Sequence, residues 1–224
     1  LMKKILTLLI LLTLSLNSHA YVNDLDGLLK SHVKTVTKSG IQYNAVNYTE
    51  WAKDQRHAKV RDEILKTNAN RLKTKDQKLA YWINAYNVLT IDLITREKET
   101  KSIKNLGTLF KNPWKRFSWN VNGKNLTLDG IEHGIIRKLN DPRIHFAINC
   151  ASFSCPKLIN KAFTASQMEA QLSDATFDFI NDETRNSISK ERMQLSKQTI
   201  QQLRFIARGA AELSDRRKAM KDSS

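Results

Sequence analysis

Two cysteines and two histidines fall close together in the 224-residue chain: His133, His145, Cys150 and Cys155. A thiol beside an imidazole can act as a nucleophile with its base. The thiol pKa must then be lowered, and a third group must orient the ring. Glu132, Asp129 and Asn149 are each placed to be that third group. Pro156, directly after Cys155, suits a turn or the first position of a helix, whose N–H groups would favour a thiolate. The same cysteines can equally close a disulfide, because so short a loop can bring the Cα atoms within the roughly 4.4–6.8 Å that the bond requires. A third chemistry, zinc held by two Cys and two His, is disfavoured by a histidine spacing outside the usual three to five residues. His32 and His57 lie far off in sequence, on expected helix surfaces, and are expected to be solvated.

Two further groups of polar residues border this cluster. In KLAYWINAYNVLTIDLI, Asn84 and Asn87 project from one side of a helix, at the edge of its apolar stripe. Buried amides must be hydrogen-bonded, so these two either pin neighbouring backbone or point into a pocket that binds substrate. Arg137 and Arg143 flank the histidines and are expected to pair with Glu132, to hold a carboxylate substrate or to lie solvated on the surface.

The elements that must position these residues follow from periodicity and punctuation. Leu25, Leu28, Leu29, Val33 and Val36 recur at helical spacing from Tyr21 to about Lys38, where Gly40 ends the helix and Ile41 to Val46 reads as a short strand. A second helix is expected from Ala58 to Leu72. Thr74-Lys75-Asp76-Gln77 has the form of a capping box that opens a longer helix to about Thr95. Asn122-Gly123 joins Phe117–Val121 to Lys124–Leu128 as a hairpin. Thr127 is placed to cap a helix from Leu128 to Leu139, which Asn140-Asp141-Pro142 breaks. Ile144 to Asn149 reads as a strand with His145, Ala147 and Asn149 on one face. Thr164 or Ser166 opens another amphipathic helix that ends at Asn181-Asp182, and a last short hairpin is expected within Ser187–Leu195. Helices and strands mixed without a βαβ rhythm predict a single α+β domain.

Residues 1–20 have the order of a secretory signal peptide. Lys3 and Lys4 precede the apolar run Ile5–Leu16, and Ser18-His19-Ala20 offers small residues to a peptidase that would cut after Ala20. The apolar run is shorter than the about 20 residues that span a bilayer, so no transmembrane span is expected in the mature chain. The expected location is periplasmic or secreted, where disulfides are permitted. The whole chain carries a net charge of +15, and residues 21–197 hold 29 Lys and Arg against 19 Asp and Glu. Such a surface attracts polyanions. After export these would be anionic envelope polymers, lipid headgroups or an acidic or peptide substrate rather than nucleic acid, unless the surface is simply solvated with no specific partner, and no cofactor is expected.

The segments YWINAYNVLTIDLI, SIKNLG, FSWNVNGKNLTL, DGIEHGIIR and DPRIHFAINCASFSCPKL, in that order, resemble the domain of unknown function 547 family. The likeness is strongest over residues 75–197 and extends more weakly back to about Tyr43, within a domain drawn as 21–197. The resemblance implies an α+β fold, an exported bacterial setting and an arrangement similar to cysteine peptidases. It places the family's recurrent polar positions on Asn84, Asn87, Glu132, His133, Arg137, His145, Cys150 and Cys155. If these eight form one pocket, the expected chemistry is a thiol-dependent amide hydrolase or acyl transferase. Cys155 or Cys150 would be the nucleophile, His133 the base and Glu132 an orienting group. The alternative is a non-catalytic envelope-binding module closed by a Cys150–Cys155 disulfide. Past Lys197 the sequence departs from the family pattern, so residues 198–224 are expected to be either the product of a frameshift or truncation or an ordinary divergent basic tail.

Overall fold

The computed structural model describes residues 21–152, 155–188, 193–194 and 200. The expected signal peptide, and the tail apart from Ile200, lie outside the described residues.

One helix organises the domain. α4 (Lys75–Arg96) opens with the expected capping box, in which the Thr74 hydroxyl accepts from Gln77 N–H while the Gln77 side chain accepts from the Thr74 N–H. Every residue from Leu79 to Ile94 is buried, as a helix apolar all round requires when other elements enclose it. Helices α2 (Tyr48–Lys53), α3 (Gln55–Lys66), α6 (Leu128–Gly134) and α7 (Met168–Ile180) pack against it. Their apolar residues, among them Trp51, Ile64, Ile131 and Leu172, join it in one core.

Short antiparallel hairpins decorate this helical body. β1 (Val33–Lys38) pairs with β2 (Ile41–Val46), and β3 (Ser118–Val121) pairs with β4 (Lys124–Thr127). β5 (Ser187–Ile188) and β6 (Met193–Gln194) make the last pair. The Asn122-Gly123 turn has both residues at positive φ, 47° and 84°, the conformation that gives this dipeptide its hairpin preference. Its Asn122 N–H donates to Leu65 O at the end of α3, at 2.7 Å. α5 (Pro113–Arg116) is a single turn before β3. The result is an α+β domain, and among the described residues no helix is long and apolar enough to cross a membrane.

Several elements differ from expectation. The first helix, α1, described over 21–32, ends at residue 32; Val33 and Val36, which matched its period, belong to β1. The chain turns at Ser39-Gly40, both at positive φ, so Gly40 closes a hairpin rather than ending a helix. The expected helix Ala58–Leu72 begins earlier and stops at Lys66, followed by a 3-10 turn at Ala69–Arg71. Thr127 caps α6 as expected, but α6 ends at Gly134 and a 3-10 turn, Ile136–Leu139, completes the segment. Ile144–Asn149 is no strand. Asp141 caps and Pro142 starts a 3-10 helix, Pro142–Phe146, so the expected alternation of His145, Ala147 and Asn149 is lost.

Candidate functional site

Cys150 and Cys155 are joined in a disulfide, with Cα atoms 6.3 Å apart. A cystine sulfur is neither a thiolate nucleophile nor a thiolate ligand for zinc, and among the described residues there is no free cysteine. No helix starts at Pro156, so of its two expected settings, a turn or a helix start, the helix N-terminus beside Cys155 is not the one adopted.

The loop that carries the disulfide is anchored by side-chain amides. Asn87 on α4 donates from Nδ2 to Ala147 O at 3.0 Å and accepts from Asn149 N–H at 2.8 Å. Asn149 in turn donates to Pro156 O and accepts from Ala151 N–H, both at 2.8 Å, which spans the two half-cystines. One turn earlier on α4, Asn84 grips Phe163 in the same way, donating to its carbonyl at 2.8 Å and accepting its N–H at 2.9 Å. Gln171 on α7 repeats the device on Ala162 O and Thr164 N–H, at 2.8 and 2.9 Å. Such double contacts satisfy buried backbone where no strand is available to do so. Both asparagines therefore fill the first of their expected roles, pinning backbone.

Glu132, His133, Arg137 and His145 form a polar neighbourhood. Arg137 donates to Glu132 Oε1 from two nitrogens, at 2.6 and 3.2 Å. The Tyr86 hydroxyl makes a long 3.5 Å contact to Glu132 Oε2, and burial, with the Glu132 charge beside it, pushes that hydroxyl well above its usual pKa. His145 is 6% exposed. Burial, followed by the nearby charges of Arg137 and His133, pushes its pKa down to about 4. The ring is therefore neutral at neutral pH. His133 is half exposed on α6, with Nδ1 3.3 Å from Asp129 O and 3.7 Å from Asp129 Oδ1.

Arg143 is engaged elsewhere. It makes a bidentate pair with Asp141 at 3.0 and 2.9 Å, and contacts both Glu169 oxygens at 2.6 and 2.8 Å and Ser173 Oγ at 3.0 Å. All five of its N–H groups are accounted for. Arg143 thus ties the 3-10 helix Pro142–Phe146 to α7.

The sequence reading missed a second polar centre. Asp92, within the apolar run of α4, is 2% exposed. Its carboxylate accepts from Trp119 Nε1 at 2.8 Å and from Arg61 at 3.3 Å, with His57 Nε2 3.6 Å away. His57 is therefore buried rather than solvated, and burial lowers its pKa. His32, also expected in solvent, is part-buried and lies 3.0 Å from Asp54 Oδ2. The signal available beforehand was the carboxylate of Asp92, an acid that a wholly buried helix carries only with partners. A cavity of about 290 Å³ lies elsewhere, between β1–β2 and α7. Asn44, Lys157, Asp178 and Asp182 line it, and none of the expected site residues does.

No curated protein and no solved structure matches the chain. A family model does match, over residues 69–180, a span that holds α4, the Glu132–Arg137 pair, His145, both half-cystines and all of α7. On that match the chain belongs to the family described as protein of unknown function, DUF547.

Proposed function

We infer that the chain is an exported, non-catalytic binding module: a disulfide-closed domain whose basic surface docks an anionic component of the cell envelope. The observation that carries this reading is the Cys150–Cys155 disulfide. It ties up both sulfurs that a thiol mechanism would need, and it suits the oxidising setting that the signal-peptide pattern of residues 1–20 implies. The excess of Lys and Arg over Asp and Glu supplies the attraction. Arg137, with a side chain 28% exposed, is the cationic member of the polar neighbourhood that reaches solvent, beside the half-exposed His133.

One observation favours a second reading, a thiol-dependent amide hydrolase or acyl transferase that is active once the disulfide is reduced. His145 is held neutral by burial, so its ring carries a lone pair at neutral pH, as a weak base. In that reading Cys155 or Cys150 is the nucleophile, His133 or His145 the base, and Glu132 an orienting group. Labelling with a thiol reagent after reduction separates the two. The reduced binding module labels at the rate of ordinary cysteines, whereas one thiol labelled far faster at neutral pH supports the enzyme.

A further inference from the structure

Leu109 and Phe110 stand side by side at a loop tip, 91% and 90% exposed. Scattered apolar residues are ordinary on a protein surface, but two adjacent large ones held almost wholly in water mark a place of contact. The loop beneath them is built. Thr108 N–H donates to Lys111 O at 2.8 Å, and Lys111 N–H donates to Thr108 Oγ1 at 3.1 Å, closing the turn under the tip. Arg116 crosses the base to Leu106 O at 2.7 Å. At Gly107 a Cβ would lie 3.2 Å from both Lys104 O and Pro113 Cδ, so the two arms of the loop approach more tightly than most side chains tolerate. Lys104, Lys111, Lys115 and Arg116, all exposed, collar the tip. Of the acids near them, Glu99 is turned onto the N–H groups of Lys101 and Ser102, and Asp129 lies 3.8 Å from Lys115.

We propose that the Leu109–Phe110 tip and its basic collar dock the chain on an anionic lipid bilayer. The two side chains enter the boundary between headgroups and acyl chains while the collar meets headgroup phosphates. This rests on the reading of the chain as an envelope-binding module, and it names the partner. A protein partner needs a broad complementary patch, commonly about 800 Å² a side, which two side chains at a convex tip do not provide. A soluble polyanion would use the collar and leave the apolar pair in water. A fluid anionic surface satisfies both features, through apolar burial and charge attraction together.

The test is co-sedimentation of the full, oxidised chain with phosphatidylcholine vesicles, with and without an equal share of phosphatidylglycerol. Binding is expected on the anionic vesicles only, and should weaken as salt rises. L109S/F110S should bind about tenfold more weakly or worse while unfolding at the wild-type temperature, since neither residue contributes to the core. F110W should show blue-shifted emission on anionic vesicles beyond that of the wild-type tryptophans. Wild-type affinity in L109S/F110S, or equal binding to neutral vesicles, overturns the proposal. Binding to soluble dextran sulfate without binding to vesicles also overturns it but leaves the envelope-binding reading standing. Binding to neither removes both.

Discussion

Asn149 donates its backbone N–H to Asn87 Oδ1 at 2.8 Å, one residue before the first half-cystine. The disulfide loop is therefore fastened directly to the buried central helix. Because Asn87 Nδ2 also donates to the Ala147 carbonyl, a single side chain fixes the path of the chain between His145 and Cys150.

Replacing that side chain tests the anchor. N87L leaves a buried carbonyl and an N–H without partners, and each orphaned group costs roughly 1–3 kcal/mol. Urea unfolding of N87L should show a loss of about 3 kcal/mol with an unchanged slope. A loss below about 0.5 kcal/mol would mean that the Asn87 contacts do not hold the loop.

Removing the cross-link should cost less. The disulfide closes a loop with a sequence separation of 5, for which chain entropy gives a stabilisation of about 2 kcal/mol. C150S/C155S should lose that amount in denaturant titration and stay folded, because the Asn87 and Asn149 contacts remain. Complete unfolding of the double variant would show that the disulfide carries far more of the fold.

His145 should make stability depend on pH in a defined window. Its pKa falls from 6.5 to about 4 on folding. Above pH 6.5 the ring is neutral in both states, and its contribution is fully present. Between these two values the unfolded chain binds the proton and the native chain does not, so stability falls as pH falls. Below pH 4 both states are protonated and the slope disappears. The whole change is on the order of 3 kcal/mol. H145Q should flatten the unfolding profile in that window, and an unaltered profile would contradict the buried, neutral ring.

Arg143 gives a contrast between its two partners. Asp141 has a side chain 8% exposed, whereas Glu169 is 80% exposed. D141N breaks the buried half of the bridge and should cost about 2 kcal/mol, while E169Q breaks a contact held in water and should cost far less. Thermal unfolding of the two variants checks the order, and equal losses would contradict it.

Local signals were legible where a residue acts on its own neighbours. The Thr74–Gln77 capping box, the Thr127 cap and the Asn122-Gly123 turn all depend on contacts within a few positions, and each is present. Errors arose where tertiary packing or two competing periods decided the outcome. Val33 and Val36 fit a helical stripe, yet the strand partner at Ile41–Val46 draws them into β1. The apolar run at Ile144–Ile148 resembles a strand, but Asp141 and Pro142 start a 3-10 helix whose following chain is held by Asn87. Burial of His57 depends on Asp92, far along the sequence on a different helix, which no local pattern reveals. At the candidate site, the disulfide and the Arg137–Glu132 pair were among the alternatives open from residue type and spacing. The amide grips on distant backbone needed the fold itself.

The central claim is that the chain works as an oxidised binding module rather than through a thiol. The most direct measurement compares wild-type chain with C150S/C155S at a temperature where both are folded. It follows binding to phosphatidylglycerol-containing vesicles and to dextran sulfate, and cleavage of an envelope peptide with and without reductant. The account predicts equal, salt-sensitive anion binding by both proteins and no cleavage by either. Cleavage that appears on reduction of the wild type and vanishes in C150S/C155S would contradict it.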